Sequence, residues 1–252
     1  MTSEKLILAI ETSSRMGSVA IGSTEGLLAQ CGFSGAMRHS AEILPSIQAL
    51  LAQVKAGPGD LGQVCLSVGP GSFTGLRIAV TLAKALHLAS GVQIVSVDTL
   101  DVIAANVPTS HDRVQAIAPI LDAKRDQFFV AEYLRHVDTG AALPAEACPD
   151  QGTTPAGWVK IQADSIMTAR QFVDRFADPA RPVGILGDGL LYHQDRFQTP
   201  GIEVLDERWW SPCAAAVYHL GLRKVLAGQF EDPLRLAPTY LLPPEVTMKA
   251  QR

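Results

Sequence analysis

Residues 68–77 read VGPGSFTGLR and stand between a short apolar run and a long helical pattern. The run from Val64 to Val68 predicts a buried strand, and the stretch from Thr74 to Ser90 predicts a helix that Gly91 ends. A glycine-rich turn between a strand and a helix is either a phosphate-binding loop or a tight structural turn. The choice decides whether a nucleotide is predicted to bind here.

The glycine spacing of this turn fits neither of the two common phosphate motifs. A P-loop needs a lysine directly after its last glycine, and none follows Gly75. A dinucleotide fingerprint needs G-x-G-x-x-G, and Gly69, Gly71 and Gly75 are spread one residue too far. We therefore expect a structural turn in which Ser72 or Thr74 caps the helix. Phosphate binding by the free amides of the helix start is the alternative.

The first hundred residues predict a repeating α/β pattern. The predicted strands are 6–10, 18–21, 27–33, 64–68 and 94–97, and the predicted helices are 41–55, 74–90 and 98–105. This βββαβαβ order indicates an antiparallel meander that continues into right-handed crossovers. Pro45 lies inside the first helix, so we expect either a kinked first turn or a later start.

A similar pattern begins again after Pro108. An apolar run at 117–121 ends at Asp122 and a second run returns, as the run before Glu11 does. We predict a duplicated unit in two lobes, 1–108 and 109–252. The last helix can either stay with the second lobe or pack back on the first. The remaining predicted segments are a loop at 138–157, a strand at 183–186, the last helix at 213–227 and an extended tail from 233.

The composition of the chain argues against several classes of protein. The chain has 252 residues, 47 % hydrophobic and 18 % charged, with a net charge of -4, which argues against a general polyanion binder. A direct transfer-RNA contact is the alternative, through a local patch of Arg113, Lys124, Arg125, Arg135 and Arg223. The four cysteines form no CxxC pair, and no apolar run approaches the ~20 residues of a membrane span. We expect a cytoplasmic protein with reduced thiols.

Segments along the whole chain resemble the TsaB (YeaZ) family. They are GPGSFTGLRIAVTLAKAL, ILAIETSSRMGSVAI, RHSAEILPSIQALLAQ, VSVDTLDVIA, APILDAKRDQFFVAEY and PTYLLPP. The resemblance implies a two-lobed actin-like ATPase (ribonuclease H-like) fold with mixed sheets and flanking helices. It implies a role in making N6-threonylcarbamoyladenosine at position 37 of transfer RNA, as a non-catalytic, activating partner of TsaD that acts with the ATPase TsaE. It also implies homodimers, and contact with transfer RNA only through the complex.

The candidate chemistry of the chain is sparse. The sister family TsaD binds a metal through two histidines four residues apart, and the matching positions here are His39 and Ile43, so we predict no metal. The residues that match a nucleotide cleft of the actin-like fold are Glu11, Thr12, Ser13, Gly187 and Gly189. They are either a residual nucleotide site or simple turn residues. We expect no cofactor to be required, although ATP or ADP can bind in the complex.

The alternative function is a small actin-fold ATPase or phosphotransferase in which Glu11 orients a magnesium-bound water. Helices 41–55 and 74–90 argue instead for a scaffold, because their apolar faces are broader than packing on one sheet requires. Such helices are either deeply buried or part of an interface. With the resemblance, the predicted partner-interface residues are His39, Ile43, Leu44, Ile47, Leu51, Thr74, Arg77 and Val80. In the tail, Leu242 stands where the family pattern P-x-Y-L-R has arginine.

Overall fold

The structure is a computed structural model that describes residues 5–108, 113–136 and 157–241. Some predictions lie wholly or partly outside these ranges. They are the first four residues of the first lobe, the start of the second lobe at 109–112, nearly all of the loop at 138–157, and the extended tail from 242 onward, which includes Leu242. Within the described ranges the chain forms two five-stranded mixed sheets with flanking helices. None of the helices in these ranges is both long and apolar enough to cross a membrane.

The first lobe follows the predicted element order. Its elements are β1 (Leu6–Glu11), β2 (Ser18–Gly22), β3 (Leu27–Gly32), α1 (His39–Gln53), β4 (Leu61–Ser67), α2 (Phe73–Ser90), β5 (Gln93–Val97) and α3 (Thr99–Ala104). The sheet order is β3-β2-β1-β4-β5. The meander β1–β2–β3 pairs antiparallel, and β4 and β5 join it in parallel, as crossover connections require.

The predicted later start of α1 is wrong. The helix begins at His39, because the amides of Ala41 and Glu42 both bond to the carbonyl of Arg38 and close the first turn before the proline. Pro45 sits on the exposed face of α1. Its missing N–H therefore costs one helical bond at a place where water can satisfy the freed carbonyl.

The second lobe repeats the first. Its elements are β6 (Ala116–Lys124), β7 (Gln127–Arg135), β8 (Trp158–Thr168), α4 (Ala169–Phe176), β9 (Val183–Leu186), β10 (Ile202–Val204) and α5 (Ala214–Leu226). The sheet order β10-β9-β6-β7-β8 matches that of the first sheet strand for strand, which confirms the duplicated unit. One difference is that two short 3-10 turns, 188–190 and 194–197, stand between β9 and β10 where the first lobe has α2.

Two helices cross between the lobes. The last helix, α5, packs on the first sheet, where Val217 and Tyr218 join the same buried cluster as Ile7 and Cys65. In exchange, α3 packs in the core of the second lobe, where Ile103 joins that lobe's buried cluster. The opposite face of the first sheet is covered by α1 and α2. Each lobe therefore completes its core with a helix from the other half of the chain.

A buried cation also joins the two lobes. Lys160 on β8 is 1 % exposed, and carboxylate oxygens of Asp101 and Asp164 each lie 2.8 Å from its Nζ. Asp98, which caps α3, is 3.4 Å from the same Nζ. The Tyr133 hydroxyl donates to Asp101 at 2.6 Å. Three carboxylates thus share one ammonium, and burial, opposed by Lys160, raises the pKa of Asp98 to about 7.

We expect the variant Asp98→Asn to be more stable than the natural chain at alkaline pH. The folded chain holds the Asp98 proton up to about pH 7, whereas an unfolded aspartate releases it near pH ~4. The stabilisation from this site is therefore present in acid and lost as pH rises toward 7. Asparagine keeps the cap acceptor and removes the charge. Urea denaturation should show a gain in the free energy of unfolding that is about 2–3 kcal/mol larger at about pH 8 than at about pH 5.

The control is Asp206→Asn, which makes the same change at an exposed residue that caps a 3-10 turn. Its effect on the free energy of unfolding should be small and similar at both pH values. A gain for Asp98→Asn that is equal at both pH values would contradict the shifted pKa.

Candidate functional site

The glycine-rich turn packs directly on the loop that follows β1. The amide of Ser72 donates to the carbonyl of Ser13 at 2.6 Å, and the Thr12 hydroxyl donates to the carbonyl of Gly75 at 2.8 Å. A Cβ at Gly75 would lie 1.8 Å from the Thr12 carbonyl oxygen, and one at Gly71 would lie 2.3 Å from that of Ser13. The glycines therefore allow the two backbones to touch. Ser72 caps α2 through its hydroxyl, as one of the two predicted caps.

This contact seals the acid at the end of β1. Glu11 is 0 % exposed, and its Oε1 accepts bonds of 2.5 Å from both the amide and the hydroxyl of Ser13. Burial raises the pKa of Glu11, the Ser13 bonds oppose the rise, and the Asp188 carboxylate adds to it. The buried Ser67 hydroxyl is a further group that lowers the pKa of the Glu11 carboxyl. The site therefore favours a protonated, enclosed carboxyl.

The second segment predicted to belong to a nucleotide cleft, residues 187–189, lies against β6. A Cβ at Gly187 would lie 2.2 Å from the carbonyl oxygen of Ile120, and one at Gly189 would lie 2.9 Å from it. Between these glycines, burial and the neighbouring Asp122 carboxylate raise the pKa of Asp188 to about 6. Sequence reasoning missed this acid pair, although Asp122 ends the apolar run that pairs with β9, as Glu11 ends the one that pairs with β4.

All five predicted cofactor residues are buried in this structure. The set is Glu11, Thr12, Ser13, Gly187 and Gly189. The two segments lie near each other, because the Asp188 carboxylate of the second segment acts on the pKa of Glu11 in the first. At the surface above them, Arg15 bonds to the Tyr192 hydroxyl of the second lobe, and its guanidinium lies 5.5 Å from the centre of that ring. In 5–108, 113–136 and 157–241 no three His, Cys, Asp or Glu side chains form a group suited to a metal ion.

His39 has a structural contact. It is 2 % exposed, its Nε2 donates to the carbonyl of Ser14 at 2.9 Å, and its ring packs against Phe33. Ile43, at the position of the sister family's second histidine, is buried in the core under α1. The pair thus fixes α1 to the loop after β1.

The structure corrects most of the predicted interface. His39, Ile47, Leu51 and Val80 are all less than 7 % exposed and pack inside this chain, because the apolar stripe of each helix faces its own sheet. Ile43 is also buried, but it forms part of the floor of a groove between α1 and α2. Of the eight predicted residues, the exposed ones are Leu44, Thr74 and Arg77.

The groove between α1 and α2 has a volume of about 540 Å³. It is lined by Ser40, Ile43, Leu44, Phe73, Thr74, Arg77, Ile78, Thr81, Leu82 and Ala85. Every exposed residue of α1 is uncharged, and Arg77 is the one charged residue among those that α2 exposes. Leu44 is 53 % exposed. A surface this poor in charge is unusual for two helices facing water and is typical of a contact surface.

The basic residues considered as a transfer-RNA patch have local partners. Arg113 pairs with Glu203 at 3.8 Å, and Lys124 pairs with Asp122 at 2.7 Å. Arg135 donates to the carbonyl of Val114 at 3.1 Å. These contacts give no support to a dedicated polyanion surface.

Comparison with known proteins agrees with the fold. The structure of YeaZ from Pseudomonas aeruginosa superposes with a TM-score of 0.73 at 20 % identity, covering 94 % of this chain and all of that one. The tRNA threonylcarbamoyladenosine biosynthesis protein TsaB of Bacillus subtilis (strain 168) is 32 % identical over 241 residues, 92 % of this chain and 94 % of that protein. The chain belongs to the TsaB family.

Two further similarities cover about half of the chain. The TsaB protein of Escherichia coli (strain K12) is 31 % identical over 132 residues, which cover 51 % of this chain and 55 % of that protein. A family model described as TsaD, tRNA N6-adenosine threonylcarbamoyltransferase, matches residues 34–171. That stretch contains both α1 and α2.

We expect Gly75→Ala to destabilise the chain strongly. The added methyl group would overlap the Thr12 carbonyl, so α2 must move away from the loop after β1 and lose both backbone contacts. We expect a loss of about 2–3 kcal/mol in the free energy of unfolding, measured by urea denaturation. Gly32→Ala is the matched control, because a Cβ there has no neighbour within 4 Å. Equal stability of the two variants would show that the close contact is dispensable.

Proposed function

We propose that this chain acts in tRNA threonylcarbamoyladenosine biosynthesis as a non-catalytic partner that docks on TsaD through α1 and α2. The relatives named above are threonylcarbamoyladenosine biosynthesis proteins, and the family membership brings that process to this chain. We further propose that it works in the cytoplasm, that TsaE acts on the assembled complex, and that transfer RNA contacts the chain only within that complex.

The observation that carries the docking proposal is the uncharged outer face of the two helices. Leu44, Thr81 and Ala85 line an open groove, while the apolar stripes of both helices are already used by the first sheet. Charged residues are depleted at the centres of protein interfaces, because burying an unpaired charge is costly. A partner with a similar apolar helical face would bury this surface, and Arg77 is the one exposed charge that it would have to pair.

A TsaD-family chain is suited to supply that face. The TsaD family model matches residues 34–171, so the two proteins share the segment that folds into α1 and α2. Two such helix pairs can pack as a four-helix bundle. A second copy of this chain offers the same helices, so self-association should use the same surface and compete with TsaD.

The buried acids support a non-catalytic role. The amide and the hydroxyl of Ser13 each donate a hydrogen bond to Glu11. The glycine-rich turn at 69–75 packs on the loop that contains Ser13. An actin-like ATPase needs an accessible acid at this strand end to orient water beside the bound phosphates. Here that acid is enclosed by the chain itself.

We expect Leu44→Asp to weaken binding to TsaD at least tenfold. The carboxylate would be desolvated in the contact without a partner, which costs several kcal/mol, whereas in the free chain it lies in water. Titration calorimetry with purified TsaD would measure the dissociation constant. Threonylcarbamoyladenosine formation in a reaction with TsaD and TsaE should fall in parallel.

Leu226→Asp is the matched control for this experiment. Leu226 is 66 % exposed and lies on α5, away from the groove. It should bind TsaD as the natural chain does. Equal affinity of the folded Leu44→Asp variant would refute docking through α1 and α2.

A small ATPase is the second candidate, favoured by the nearby acids Glu11, Asp122 and Asp188 at equivalent strand ends of the two lobes. We expect the purified chain with ATP and magnesium to release no more phosphate than its Glu11→Gln variant does. The exposed change Asp174→Asn on α4 serves as the control. Turnover by the natural chain that Glu11→Gln abolishes and Asp174→Asn retains would establish the enzyme instead.

A further inference from the structure

The tail after α5 returns to the start of α2. Leu236 is buried in the same cluster as α1 and α2, and the amide of Thr239 donates to the carbonyl of Val68 at 2.7 Å. A Cβ at Gly69 would lie 2.6 Å from the Thr239 carbonyl oxygen, so the first glycine of the turn makes room for the tail. Residues 238–241, which belong to the segment that resembles a family pattern, are therefore fixed beside the groove.

Tyr240 contacts two residues that line this groove. Its ring centre lies 5.1 Å from that of Phe73, and its hydroxyl accepts a hydrogen bond of 3.1 Å from Arg77 Nε. The Arg77 guanidinium lies 3.6 Å from the centre of the Phe73 ring. The three side chains form one stacked unit, named here the tail clasp. It occupies the end of the groove nearest the start of α2.

We propose that the tail clasp holds the Arg77 guanidinium in a fixed position to receive a carboxylate of the docking partner. This inference rests on the proposed docking of TsaD. Arg77 is the one charged residue among those that α2 exposes, and its Nε is already used by Tyr240. Few other charged side chains of α1 and α2 reach this face, and a partner's carboxylate is the group that pairs best with the terminal nitrogens of a guanidinium. Tyr240 is thus a positioning residue for Arg77.

A fixed side chain lowers the cost of binding, because less rotamer freedom is lost when the partner arrives. Tyr240→Ala should therefore weaken TsaD binding about tenfold. Arg77→Gln should weaken TsaD binding by a similar factor. It should also remove most of the dependence of the TsaD dissociation constant on salt concentration, because the ion pair is lost. Once Arg77 is replaced, Tyr240→Ala should have little further effect, because Tyr240 acts through Arg77.

Four variants test the tail clasp by titration of TsaD at low and high salt: Tyr240→Ala, Tyr240→Phe, Arg77→Gln and the double variant. Tyr240→Phe keeps the ring contact without the hydroxyl and should give an intermediate loss. Tyr192→Ala is the matched control, because Tyr192 is also an exposed tyrosine bonded to an arginine, but between the lobes. It should bind normally.

The outcomes separate this inference from the proposal beneath it. If Leu44→Asp binds as the natural chain does, the docking proposal fails. If Leu44→Asp is weakened while Tyr240→Ala and Arg77→Gln bind normally, only the tail clasp fails. Losses that add fully in the double variant would show that Tyr240 does not act through Arg77, and this also overturns the inference. Arg77→Gln changes an exposed side chain, so its result stands even if Tyr240→Ala folds poorly.

Discussion

The contact between the backbone of Gly75 and the carbonyl of Thr12 is the constraint on which the site depends. It brings the start of α2 against the loop after β1, where hydrogen bonds from Ser72 and Thr12 fix it. The same contact encloses Glu11 and sets α2 beside α1. The enclosure of Glu11 and the placement of α2 beside α1 are therefore two results of one close approach.

The two lobes share cores as well as a repeated topology. The first sheet relies on α5 from the end of the chain, and the second lobe's core includes α3 from the first half. Lys160 adds an ionic link to Asp98 and Asp101. Because these links are buried, relative movement of the lobes would expose both apolar surface and charge.

The spacing of hydrophobic residues predicted most of the first lobe. Its strands are continuous apolar runs, and the apolar residues of its helices recur at helical spacing. The spacing of hydrophobic residues did not predict β8, because Lys160 and Asp164 interrupt the apolar pattern there. These two residues belong to a charged cluster with Asp98 and Asp101 that forms only when the chain is folded. The same spacing placed Ile47 and Leu51 on the apolar face of α1. It could not show whether that face packs on the chain's own sheet or on a partner. Spacing excluded a P-loop, but it could not reveal that the glycines are needed for contact with Thr12 or for passage of the tail.

The exchange of helices between lobes has a consequence for biosynthesis on the ribosome. The strand residues Ile7, Ala9 and Cys65 leave the exit tunnel early, yet the helix that covers them is translated almost last. Throughout synthesis of the second lobe, one apolar face of the first sheet stays exposed to solvent and prone to aggregation. The nascent polypeptide therefore has a long window in which it needs protection by a chaperone, and premature termination before residue 214 would leave a product that cannot mature.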